Sequence, residues 1–114
     1  MKSFKQFLKE GSALASNIIK GVNVELFKLS QVSDKSSDIT EMFNQVQDIL
    51  SKRGLSLVNE NGDQFSPQII INKRQTFVNL SNTNDGLIDN VVLNIQWNEI
   101  EGEYAIKSVS LQEK

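Results

Sequence analysis

With 114 residues, no cysteine and no histidine, the chain is long enough for one hydrophobic core and too short for two ordinary domains. The two missing residue types remove disulfides, thiolate nucleophiles, imidazole relays and the usual zinc ligands together, so no catalytic residue, metal or cofactor is expected. The balance of 12 basic against 14 acidic side chains disfavours a nucleic-acid partner, and no run approaches the roughly 18 apolar residues of a membrane span.

The chain opens Met1-Lys2-Ser3-Phe4-Lys5-Gln6-Phe7-Leu8-Lys9-Glu10-Gly11-Ser12. Phe4, Phe7 and Leu8 fall at i, i+3 and i+4, so a helical turn here presents one apolar edge with Lys2, Lys5 and Lys9 around it. Helices shorter than roughly a dozen residues are marginal in water, so this segment is expected to fray unless something docks its apolar edge. That suits a peptide meant to be read and removed. Leu8-Lys9-Glu10 followed by Gly11, behind a Met-Lys-x-aromatic start, resembles the capsid-targeting peptide of the internal head proteins of T-even-like tailed phages. In that family a prohead protease cuts after Leu or Ile, any residue, Glu, and before a small residue. Glu101-Gly102, the other Glu followed by a small residue, has Glu99 where Leu or Ile is required.

The resemblance covers the leading tenth of the chain. It implies targeting through Phe4, Phe7 and Leu8, and processing at Leu8, Glu10 and Gly11. It divides the chain into a removable leader, residues 1–10, and a single domain, residues 11–114. It further implies packaging inside the capsid, delivery with the DNA into the host cytoplasm, and a body that is not an enzyme. The implied partners are the prohead protease and capsid core first, then a host protein, with inhibition of a defence enzyme as the outcome. Loss of Lys2, Lys5, Lys9 and Glu10 leaves 9 basic against 13 acidic residues, an acidic body where internal proteins are often basic. Two other readings compete: a prohead core component with a purely structural assembly role, and a small ligand-binding or carboxylate-using domain unrelated to capsids.

Beyond the leader, Leu14, Ala15, Ile18 and Ile19 continue the spacing begun at Phe4, so a leader helix can run on through Gly11. Glycine costs about 1 kcal/mol against alanine inside a helix, which makes Gly11 a soft point for opening. Gly21 reads as punctuation. Val22, Val24 and Leu26 then alternate with Asn23 and Glu25, which predicts a strand over 22–29, although Ile18, Val22, Leu26 and Leu29 also share a helical face. A polar loop follows from Ser30 to Ser37.

Asp38-Ile39-Thr40-Glu41 has the spacing of a capping box. Ile39, Met42, Phe43, Val46, Ile49 and Leu50 then form a stripe at helical spacing, with Lys52 and Arg53 at the negative dipole end and Gly54 as a left-handed stop. After Gly54 the period becomes extended. Leu55, Leu57 and Val58 predict a strand, Asn59-Glu60-Asn61-Gly62 a turn, and Gln64-Phe65 its return. Pro67 marks an edge or a strand entrance, and Ile69–Ile71 with Thr76–Leu80 reads as a hairpin. Past the polar loop Ser81–Gly86, Ile88–Trp97 and Tyr104–Leu111 form a terminal hairpin, its first strand alternating apolar with Asn94, Gln96 and Asn98. The expected fold is α+β: one amphipathic helix packed on a mostly antiparallel meandering β-sheet, preceded by a short N-terminal helical leader.

Both Asn/Asp loops fail the EF-hand spacing, since Gly86 as its sixth position puts Ser81 first and Val92 twelfth, and Gly62 puts Leu57 first. Glu99, Glu101 and Glu103, alternating across a tight turn, form with Asp85 and Asp89 a candidate acidic cluster for a basic partner, in the manner of DNA phosphates toward a host nuclease. A solvated hairpin tip is the plainer explanation of the same carboxylates.

Overall fold

A computed structural model describes residues 13–32, 35–70, 72–82 and 86–114, the Ile69 side chain excepted. In chain order these form helices α1 (Ser16–Val32) and α2 (Ile39–Ser51), strand β1 (Leu55–Val58), a 3-10 turn (Pro67–Ile70), and strands β2 (Gln75–Asn82), β3 (Gly86–Leu87), β4 (Val91–Ile100) and β5 (Glu103–Glu113). The strands pair antiparallel in the order β1-β2-β4-β5, with β3 beside the end of β2. The architecture is α+β, an open antiparallel sheet with two helices. Residues 1–12, with the expected leader and its cut, lie outside the described residues.

The core follows from the alternation. Val91, Leu93, Ile95 and Trp97 of β4 are buried, and β5 sets buried Leu111, Val109 and Ile106 opposite the last three. Val92, Asn94 and Gln96 take the other, partly exposed face. The register slips once: Gln96 pairs with Ser108 but Trp97 with Ile106, so Lys107 is the extra residue of a bulge. At the hairpin tip Ile100 pairs with Glu103, and both residues between have positive φ, Glu101 at 54° and Gly102 at 82°. Such a two-residue turn matches the right-handed strand twist.

Helix α2 forms over the expected stripe with Asp38 as its cap, though the cap bond goes to Thr40 rather than to Glu41 as in a capping box. Asp38 Oδ1 accepts from the Thr40 N–H at 2.8 Å, and Gly54, at φ 71°, follows the last turn. Ile39, Met42, Phe43, Val46 and Leu50 are buried, Ile49 half-buried. The Phe43 ring lies 5.3 Å from Phe65 and 5.7 Å from Trp97, edge-on to the latter at 72°. The Trp97 indole N–H has no hydrogen-bond partner.

Three expectations are corrected. The expected single helix on the sheet is two, because residues 22–29 are not a strand but the middle of α1. Ile19, Val22 and Leu26 are buried and Leu29 packs against them, a helical stripe lying over β5, whereas Val24 points to solvent. Gly21 does not punctuate; it lies inside α1 where the Arg53 guanidinium crosses, and a Cβ there would stand 3.3 Å from Nη2. Arg53, in the turn after α2, pairs with Glu25 and so ties that turn to α1. Finally, Ile69 and Ile70 belong to the 3-10 turn rather than to a strand, so the expected hairpin between 69–71 and 76–80 does not form. Pro67 opens that turn, where its fixed φ suits a first helical residue and its missing N–H costs nothing. Ile70 is buried, and β2 pairs instead with β1 and β4.

Candidate recognition surface

Three side-chain amides tie the elements together, each by mimicking a neighbouring peptide group. Asn23 of α1 donates to the Leu111 carbonyl at 3.2 Å and accepts from the Leu111 N–H at 2.6 Å. Gln47 of α2 donates to the Leu55 carbonyl at 3.0 Å and accepts from the Leu57 N–H at 2.9 Å. Asn90 accepts from the Leu14 N–H at 2.8 Å and donates to its carbonyl at 3.1 Å. β1 and β5 are the outer strands of the sheet, so Asn23 and Gln47 satisfy edge groups that would otherwise invite another chain. The sequence reading missed all three. Asn23 carried a signal, a lone amide among apolar residues of a segment that also fits a helix.

With Asn23 turned toward β5 and Val22 and Leu26 toward the core, α1 leaves its opposite face to solvent. That face carries Val24, 54% exposed, and Phe27, 63% exposed, between Lys20 and Lys28. Lys20, Val24 and Lys28 are spaced by four residues and form one row, with Phe27 beside it. The nearest carboxylate on the helix, Glu25, is held by Arg53. The result is an apolar pair with a cationic rim, suited to a partner surface with apolar residues and carboxylates. An antiparallel copy of α1 laid on this face would set Lys20 against Lys28, like against like, which disfavours self-pairing.

The acidic residues separate. Glu99, Glu101 and Glu103 sit together at the β4–β5 tip, whereas Asp89 precedes β4, about 30 Å away at the rise of a strand. Asp85 lies outside the described residues. At the tip, Glu99 accepts from Arg74 Nη2 at 3.1 Å, and Tyr104 stands opposite Glu99 in the register. Burial lifts the Tyr104 hydroxyl pKa above its ordinary value; the hydrogen bond and charge of Glu99 and the charge of Asp38 add to this, while Arg74 opposes it. Glu99 is therefore engaged internally, leaving Glu101 and Glu103 as the tip's outward charges.

An open groove of about 350 Å³ lies where the turn after β1 meets the start of β2, lined by Val58, Phe65, Ile70 and Phe77 among others. Among the described residues no group of three carboxylates is placed to hold a metal ion, and no helix is long and apolar enough to cross a membrane. Comparison of the chain with protein-family models, with curated proteins and with solved structures gave no match.

Proposed function

We propose that this chain is an internal head protein of a tailed phage, carried into the prohead by Met1–Glu10, cut between Glu10 and Gly11, and delivered with the DNA to act on a host protein by binding it. The observation that carries this reading is the Leu8-Lys9-Glu10-Gly11 signal behind a Met-Lys-x-aromatic start. Leu14, three residues past the cut, is buried and bonded through both its backbone groups to Asn90, so the trimmed body keeps this tie. The cationic, apolar outer face of α1 supplies the contact surface for the host protein. The closed core around Trp97 suits a domain that outlasts assembly better than a transient core component.

Incubating the purified full chain with a phage prohead protease and measuring intact mass tests the reading. The expected product starts at Gly11 and disappears in Glu10→Gln. An uncut chain, or cuts within residues 13–114, would overturn it.

A further inference from the structure

The outer backbone groups of the sheet are guarded at points on both outer strands. On β1, Gln47 takes the Leu55 carbonyl and the Leu57 N–H, and the Leu57 carbonyl accepts from the Phe65 N–H at 3.3 Å. On β5, Ser36 exchanges both backbone bonds with Tyr104, Asn23 does so with Leu111, and the bulge at Lys107 breaks the row between them.

The first half of β2 is different. β1 ends at Val58, which pairs with Asn79, while β2 extends back to Gln75. The phase of β2 is fixed by the Trp97 N–H donating to the Arg74 carbonyl at 3.0 Å and the Ile88 N–H donating to the Leu80 carbonyl at 2.9 Å. Even-numbered residues of β2 therefore aim their backbone at the β3 and β4 side, and Gln75 and Phe77 aim theirs at the side that β1 has left. A longer β1 would bring Glu60 opposite Phe77. Instead the chain turns, with the Asn59 N–H bonded to the Asp63 carbonyl at 2.7 Å and Asn59 Oδ1 accepting from the Asn61 and Asp63 N–H groups. The groove of about 350 Å³ opens on this stretch. Its apolar walls are Val58, Phe65, Ile70 and the 58% exposed Phe77 ring, and Glu60 is the charged side chain among its described lining residues.

We propose that this groove receives an extended segment of a partner protein as an added strand, antiparallel to β2 and in line with β1. The N–H and C=O groups that Gln75 and Phe77 aim to this side have no backbone partner among the described residues, and an occupant that pairs with them needs free backbone groups of its own, which a helix lacks. The three described neighbours of β2, namely β1, β3 and β4, all run antiparallel to it, and sheets of a single sense are over-represented, which favours the same sense for an added strand. The apolar walls select apolar side chains at alternate positions, and Glu60 selects a lysine or arginine at the groove's end. The inference is independent of the phage reading and survives if that reading fails.

The test uses the full chain. A displayed pool of random heptapeptides is selected against it, and enriched peptides are titrated into the 15N-labelled protein. Enriched sequences are expected to alternate apolar residues and to carry a lysine or arginine, and to shift the amides of Gln75 and Phe77. N-methylation of the peptide residue that bonds Phe77 is expected to weaken binding about tenfold, while methylation one position along does not. Glu60→Lys is expected to reverse the charge preference of the selected peptides. The proposal is overturned by the absence of enriched sequences, by shifts confined to other surfaces, by equal loss from both methylation phases, or by dimerisation of the chain itself through Gln75 and Phe77.

Discussion

The two helices are built to different specifications. α2 has a side-chain cap at Asp38, a single apolar stripe that is wholly engaged with the sheet and α1, and a left-handed glycine close behind it. α1 has neither an acidic residue in its first turn nor a basic one in its last, and it carries apolar residues on both sides: Ile19, Val22 and Leu26 inward, Val24, Phe27 and Val32 outward. A helix that only stabilises a fold needs one apolar face. The second face of α1 has no task in the described core, and it is what makes this helix the candidate contact surface.

If this division is right, inward positions on the two helices should respond alike. Leu26→Ala and Leu50→Ala, both fully buried, are each expected to lower stability by about 3 kcal/mol in urea unfolding followed by fluorescence of the lone Trp97. A loss below about 1 kcal/mol for Leu26→Ala would remove α1 from the core. Next come the amide clasps. Asn23→Ala and Gln47→Ala each strip two bonds from an edge strand and are expected to cost about 2 kcal/mol, with faster hydrogen exchange at the Leu111 and Leu57 amides respectively. Away from the helices, Glu101→Asn in the hairpin turn is expected to raise stability by up to about 1 kcal/mol, because asparagine tolerates the left-handed backbone that Glu101 is held in.

The smallest effect is with pH. Tyr104 keeps its proton in the fold above the pH at which the unfolded chain loses it, so the folded state binds more protons there and stability falls as pH rises past about 10. Below that value the contribution is fully present. Tyr104 is the chain's single tyrosine, so absorbance titration reads it alone, and Tyr104→Phe should flatten the alkaline slope.

How legible each region was follows from the same contrast. α2 announced itself because cap, stripe and stop agree, and the β4–β5 hairpin because its first strand alternates strictly, although the expected turn over 99–103 tightens to Glu101-Gly102. α1 was misread as a strand at 22–29 because its outward Val24 falls between inward Val22 and Leu26, giving in sequence the alternation of a half-buried strand. The residue that disguised the helix is part of its candidate contact face. Ile69-Ile70-Ile71 misled for another reason: β-branched residues suit strands, but a proline two positions earlier opened a 3-10 turn and burial of Ile70 held it there. The amide clasps were hidden because Asn23 with Leu111, and Gln47 with Leu55 and Leu57, meet only after the sheet is assembled. The partial splitting of the acidic residues likewise depends on strand length: β4 carries Glu99 away from Asp89.

The most direct test of the division of α1 is urea unfolding of the double variant Val24→Ser/Phe27→Ser beside the parent chain. The account predicts stability within about 0.5 kcal/mol of the parent and an unchanged slope with denaturant, since neither side chain belongs to the core. A loss approaching that of Leu26→Ala would contradict it, and would show the outer face to be part of what holds the domain together.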